Sequence, residues 1–406
     1  MSLLYNAYEA QSTLLAPGRA ASLGLARTLR SAPRPVSHSL RRISAFQDVI
    51  SSVQLTHTRP DYAIDEIAVG ARTVAVTETE VLSTPFASLL RFAKRRGAKQ
   101  APPVLLVTAL SGHFSTMMRP TIKALLQDHD VYVTDWRNAR DIPVDEGAFG
   151  LEEYIEHIIR FVHHIGPGAH ILAVCQPCVP ALAAASILAQ ADDPDQPKTL
   201  TLMSGPIDAR VNPTKINSMA ERRSIDWYRK HCVVEVPRKY AGAGRRVYPG
   251  FLQVSAFMSM NVRRHLDSHV AMYRDFVADD IVGAEATKEF YREYYAVLDV
   301  TEEFYLETVS STFLDHTLAR GAMVYQGTPV EPAALHKTAL MTIEAENDDM
   351  CAPGQTAAAH DLASSLTADQ RASLVQPGVG HYGIFAGTRW ESEVYPALRD
   401  FIRAHA

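Results

Sequence analysis

Cysteine is scarce. Four residues in 406 (Cys175, Cys178, Cys232 and Cys351) cannot build a disulfide framework, which points to a reducing compartment. No uninterrupted apolar run reaches the roughly 18 residues a membrane-spanning helix needs. The first residues lack a charged stretch followed by a compact apolar core, so no Sec-type leader is expected. A net charge of −5, with no basic block on aromatic-rich sequence, gives no footprint for nucleic acid. Internal repeats and low-complexity tracts are missing as well. What is present, 47% apolar and 21% charged residues, belongs to an ordinary globular protein long enough for an α/β core with an inserted subdomain.

Residues 17–42 hold six arginines (Arg19, Arg27, Arg30, Arg34, Arg41 and Arg42) and no acidic residue. That balance fits a mitochondrial presequence or an arginine-rich surface helix region, and the second is preferred. Residues 62–82, with β-branched positions around Gly70, predict an antiparallel hairpin. After Pro102 and Pro103 the rhythm changes. VLLVTAL (104–110), DVYVTDW (130–136), HILAV (170–174) and TLTLMSG (199–205) read as short buried strands, with helical spacing between them. This alternation predicts a mostly parallel, doubly wound sheet covered on both faces.

From about 208 to 320 the chain is rich in Tyr, Phe, Arg and Met and shows no clear strand. It reads as an inserted helical cap. The α/β pattern returns at TALMTIEAEND (338–348) and ASLVQPGVGH (372–381), and a closing helix puts Trp390, Val394, Tyr395, Leu398, Phe401 and Ile402 on one face. The expected organisation is a largely helical extension (1–60), a first core part (61–207), the cap (208–320) and a second core part (321–406).

Cys175 stands directly after a buried strand and before a helix, the nucleophile-elbow position of an α/β-hydrolase fold. The backbone N–H of Gln176 would face an oxyanion there, and the helix dipole would favour a thiolate. A second donor is expected at Leu110 or Ser111, in the loop after the first parallel strand. A nucleophile needs a base and the base an orienter. His381 follows a Gly-x-Gly loop after the last strand, and Asp348, with Asp349 as substitute, follows the one before it. The order nucleophile, acid, histidine is that of the α/β hydrolases.

Rival readings of Cys175-x-x-Cys178 are weaker. A thioredoxin-like pair lacks the preceding Trp, and its fold needs about a quarter of this chain. A zinc site lacks a second ligand pair, so no metal is expected. Cys178 is read as an oxidisable neighbour one helical turn on. The insertion's aromatics (Trp227, Tyr248, Phe251, Tyr291, Tyr294, Tyr295, Phe304 and Tyr305) should form its own core, some of them facing the cleft. The candidates for substrate contact are His113, Trp227, Tyr248, Phe251 and Tyr294.

Seven stretches in order resemble the intracellular poly(3-hydroxybutyrate) (PHB) depolymerases, cysteine-nucleophile α/β hydrolases. They are SGHFSTMMR (111–119), VTDWRNARD (133–141), AVCQPCVP (173–180), SGPIDARVNPT (204–214), YPGFLQ (248–253), EAENDD (344–349) and GVGHYGIF (378–385). The resemblance runs from about residue 60 to the end. It implies Cys175, Asp348 and His381 as the triad, with a cytoplasmic storage granule of amorphous polyester as substrate and partner. It also implies hydrolysis to 3-hydroxybutyrate and short oligomers, without a cofactor. The constellation is also similar to the polyhydroxyalkanoate synthases, which usually carry glycine where Ala173 and Pro177 stand here, so hydrolysis is the favoured reading. An acyltransferase of that type, or a granule-coating protein with a vestigial site, are the alternatives. The oligomeric state is open, with a homodimer as one candidate.

Overall fold

A computed structural model describes residues 3–30, 38–95 and 101–406; Arg34 of the arginine-rich segment lies outside the described residues. Nine strands form one sheet: β1 (Glu66–Val69), β2 (Arg72–Ser83), β3 (Ala87–Lys94), β4 (Pro103–Val107), β5 (Asp130–Trp136), β6 (His170–Val174), β7 (Thr199–Met203), β8 (Ala339–Ala345) and β9 (Arg371–Gln376). Their order is β1-β2-β3-β5-β4-β6-β7-β8-β9. The first two are the expected hairpin, turning at Gly70 with φ +58°. From β5 to β9 all neighbours are parallel, so six loops and the site they carry gather at one edge.

The sequence reading missed β3. Its residues, ASLLRFAK, have no β-branched side chain and read as helix by propensity; pairing on both sides with β2 and β5 overrides that preference. Helices α1 (Leu3–Arg30) and α2 (His38–Ser52) pack on the segment inserted after β7, whereas α3 (Arg119–Leu125), α4 (Leu151–Ile165) and α5 (Cys178–Gln190) flank this frame. α4 and α5 bury Tyr154, Ile158, Phe161, Leu182 and Leu188 against one face. α3 and the C-terminal helix Tyr395–Ala404 bury Ile122, Leu125, Leu398 and Ile402 against the other. α5 is buried around nearly its whole surface, and its alanines at 181 and 183–185 let it lie close on the sheet.

Between β7 and β8 lie α6 (Lys215–Ala220), α7 (Ile225–Cys232), α8 (Gly250–Met260), α9 (Val262–Ala278), α10 (Ile281–Tyr294) and α11 (Glu302–Thr308). Contrary to expectation, this insertion also contains strands: Val234–Glu235, Arg246–Tyr248 and Val300–Thr301 pair antiparallel. Two or three residues are too few to show an alternation in sequence. The insertion is tied down at the sheet edge. Arg119 bonds Tyr62 O and, at 2.6 Å, Glu293 of α10, and the Leu298 N–H donates to Gly112 O.

Gly205, just past β7, has no room for a side chain. A Cβ there would lie 2.1 Å from Cys178 Cβ and 2.8 Å from the Cys175 carbonyl oxygen. Gly205→Ala must displace α5 or the turn before it, and should cost about 1–3 kcal/mol of stability. The urea midpoint should fall with an unchanged slope; an unchanged midpoint would show that the contact relaxes freely.

Candidate active site

The turn after β6 is built on an uncommon backbone. Cys175 has φ +69°, the left-handed region that costs a non-glycine residue about 1–2 kcal/mol. Its N–H still reaches Met203 O of β7 at 2.8 Å, while its C=O accepts from Cys178 N and opens α5. The side chain is thereby turned off the sheet edge, at the positive end of a helix. Pro177 occupies the N-cap with helical angles, where a missing N–H costs nothing. Cys178 points inward, fully buried, its Sγ directed at Ala173 O at 3.3 Å. Burial pushes its thiol well above the ordinary range, so the oxidisable neighbour expected here is instead a packed core residue.

The loops after β8 and β9 are stitched together. Glu346 N donates to Gln376 O and Asn347 N to Val379 O, at 3.0 and 2.9 Å. This sets Asp348 beside His381, with Oδ2 2.8 Å from Nδ1. The other carboxylate oxygen accepts from the N–H groups of Met350 and Cys351, both at 2.9 Å. Asp349 turns away and accepts from Asn261. Burial disfavours a charged imidazole at 381, but the nearby Cys175 side chain and the hydrogen-bonded Asp348 carboxylate hold its pKa well above the ordinary value. Burial likewise opposes the Asp348 carboxylate, which His381 and the two N–H groups hold below its usual range.

A cavity of about 250 Å³ opens over these groups, and its wall is mostly apolar. Of the expected contact residues, His113 and Tyr248 line it, as do Leu110, Ser111 and Gln176. Three others do not. Trp227 stacks on His231 outside the cavity, at 4.6 Å. Phe251 packs on Tyr8 of α1 at 4.2 Å, and Tyr294 backs His113 from behind, at 4.9 Å. Aromatic content alone could not separate these packing roles. Phe304 and Tyr305, named among the insertion's aromatics, do line the wall, and so do Gln253, Phe257, Thr308 and Tyr382, which were not singled out. Adjacency to His381 could have flagged Tyr382, and Gln253 ends the YPGFLQ stretch.

The Leu110 N–H is not free to meet an oxyanion: it donates to Gln176 Oε1 at 3.2 Å. Ser111 is therefore the remaining candidate from that loop. Among the described residues, His163, Asp193 and Asp195 could gather about an ion, but none of them lines the cavity.

The model of the family described as PHB de-polymerase C-terminus matches residues 204–406. The chain belongs to this family. No curated protein matches it. Among solved structures it is similar to a malate-bound thermophilic esterase from Thermogutta terrifontis, 16% identical with a TM-score of 0.44 over 82% of this chain and 99% of that one. A hydrolase from Pseudomonas aeruginosa PA01 is 13% identical, with a TM-score of 0.46 over the same shares. A monoacylglycerol lipase from Paleococcus ferrophilus is 12% identical, with a TM-score of 0.44 over 78% and 99%. The parallel sheet order and the strand–elbow–helix turn at Cys175 are those of the α/β-hydrolase fold, and the family match makes this protein an ester hydrolase. No described helix is long and apolar enough to cross a membrane.

Because the folded-state pKa of Asp348 lies below its unfolded value of about 4, its stabilising share is present above that pH. It is lost as the pH falls through the folded value. Asp348→Asn should flatten the acid limb of stability against pH, and the His381 imidazole should titrate lower by NMR. An unmoved His381 would break the inferred coupling. Iodoacetamide on the native protein should modify half-buried Cys175 but spare Cys178 and Cys351, as peptide mass spectrometry would show. Equal labelling of Cys175 and Cys178 would revive the redox pair.

Proposed function

We propose that the protein is a thiol-dependent depolymerase of amorphous poly(3-hydroxybutyrate), with Cys175, His381 and Asp348 as its triad. The observation that carries this reading is the elbow cysteine lining an apolar cavity together with His381, whose ring is hydrogen-bonded to a buried carboxylate. His381 takes the Cys175 proton, and Sγ attacks the carbonyl carbon of an ester. The oxyanion is held by the N–H groups of Gln176 and Ser111. Collapse breaks the C–O bond; His381 returns the proton to the departing hydroxyl, leaving a thioester on Cys175. A water deprotonated by His381 then releases the acid. Asp348 keeps the ring oriented and supports its positive charge.

No step requires a cofactor. The helical insertion serves as a cap whose wall suits an aliphatic polyester, and the natural setting is a cytoplasmic storage granule. The exposed apolar stripes of α2 (Ile43, Phe46, Ile50) and α9 (Val262, Leu266, Val270) support contact with such a surface.

Purified protein on amorphous granules tests the reading through turbidity and 3-hydroxybutyrate release. Wild type and Cys178→Ala should clear them, whereas Cys175→Ala should lose at least about a thousandfold in rate. Granule binding without release by any form would return the coating-protein alternative. Polymer growth with CoA release from hydroxybutyryl-CoA would return the synthase.

A further inference from the structure

A second cavity, of about 450 Å³, lies behind α8. It forms because two helix faces meet without filling the space between them. α1 contributes Leu4, Ala7, Tyr8, Gln11, Ser12 and Arg19, whose spacing puts them on one side of the helix. α8 contributes Phe251, Val254, Ser255 and Met258, again from one side. Phe251 stacks on Tyr8 at 4.2 Å and ties the two faces together. Gln253 and Phe257 of the same α8 line the catalytic cavity, so this helix is the wall between the two spaces.

The chemistry of the second cavity is graded along α1. Leu4, Ala7 and Tyr8 come first, then the amide and hydroxyl of Gln11 and Ser12, and last Arg19. The backbones of Leu4 and Arg19 stand roughly 22 Å apart along the helix axis, which suits a linear ligand. Gln54 adds a second amide from the segment after α2. Ser255 spends its hydroxyl on Phe251 O at 2.6 Å, leaving Gln11, Ser12 and Gln54 to offer the uncharged donors. Among the described residues that line this cavity, Arg19 alone carries a charge, and its planar guanidinium matches a carboxylate. No described arginine or lysine lines the catalytic cavity.

A cation at one end, amide and hydroxyl donors along the way and apolar walls between them fit a linear acid that carries carbonyl oxygens at intervals. A plain fatty acid would leave the donors unmatched. The interior of a polyester has the carbonyls but no carboxylate. Hydrolysis of one of its esters creates the carboxylate.

We infer that the second cavity is a product site, in which Arg19 takes the carboxylate end of a short 3-hydroxybutyrate oligomer. The inference rests on the depolymerase reading above. The site separates released oligomers from the uncut chain by the one group that hydrolysis adds. A bound oligomer packs on the side of α8 opposite Gln253 and Phe257, and so restrains the helix that walls the catalytic cavity.

The test is calorimetric titration of the Cys175→Ala protein, which leaves the ligand uncut, with three probes: the 3-hydroxybutyrate tetramer as free acid, its methyl ester, and octanoate. The free acid should bind at least about tenfold more tightly than either of the others. Arg19→Gln should erase its advantage over the methyl ester, and Ala7→Trp, which fills the cavity, should abolish the binding. Either variant suffices should the other fail to fold. Amide hydrogen exchange along α8 should slow when the free acid binds, and not in Arg19→Gln. Binding unchanged in both variants would overturn the site, and octanoate binding as tightly as the tetramer would overturn the oligoester assignment. Unchanged α8 exchange despite Arg19-dependent binding would overturn the restraint on the wall. In each of these cases granule clearing by wild type, measured without added oligomer, would leave the depolymerase reading standing. Granules left untouched by wild type would remove that reading and the product role with it.

Discussion

The rest of the site depends on how closely β6, β7 and α5 approach one another at Cys175. A left-handed cysteine survives there only because its surroundings fix the backbone on both sides. Its N–H is committed to β7 and its C=O to the first turn of α5. The same approach dictates the neighbours. Gly205 is small because any side chain there would meet the Cys178 side chain or the elbow carbonyl. Cys178 itself is a compact apolar filler in that gap. The two thiols thus share a motif but not a role: one is lifted out by the strain, the other is buried by the packing that sustains it.

The constraint spreads to the acid loop through a few buried polar groups. Glu344, at the end of β8, accepts from the N–H groups of Gly354, Thr356 and Ala357 and so shapes the loop that follows Asp348. Thr356 in turn donates its hydroxyl to Gly205 O and accepts from Gly205 N, at 3.0 and 2.9 Å. The turn after β7, which packs against the nucleophile turn, and the carboxylate loop are therefore bonded to each other behind the reacting groups. The distance from Asp348 to His381 is set by backbone stitching and not by the side chains alone. Such fixed geometry limits reorganisation when charge develops.

Much of this was legible in the sequence because buried parallel strands are short apolar runs, and each was followed by its functional turn. The positions of Cys175, His381 and the acid relative to those runs needed no knowledge of contacts. What escaped was non-local. β3 is a strand by virtue of its neighbours, and Phe251 is taken out of the cavity by Tyr5 and Tyr8, residues more than 240 positions earlier. Asp348 is preferred to Asp349 from its place at the strand's end, while its seat beside His381 comes from the β8–β9 stitching.

The insertion is anchored too firmly to swing away as one body. Asp299 accepts from Tyr5 of α1 at 2.7 Å and from Gly250 N at 2.9 Å, while its own N–H donates to Asn138 in the loop after β5. Burial lifts this carboxyl to a pKa of about 6, so its partners are what keep a polar group tolerable in that interior. Arg119 and Thr116 hold Glu293 of α10 from the core side. Opening the whole insertion would break the bonds of Asp299 to Tyr5 and Asn138 and of Glu293 to Arg119 and Thr116 together, and leave their buried groups unpaired. Passage to Cys175 must then come from smaller movements of the wall-forming side chains and of α8. That α8 carries Gln253 and Phe257 on the cavity and ends at exposed Met260, which makes it the element joining the outer surface to the reacting thiol.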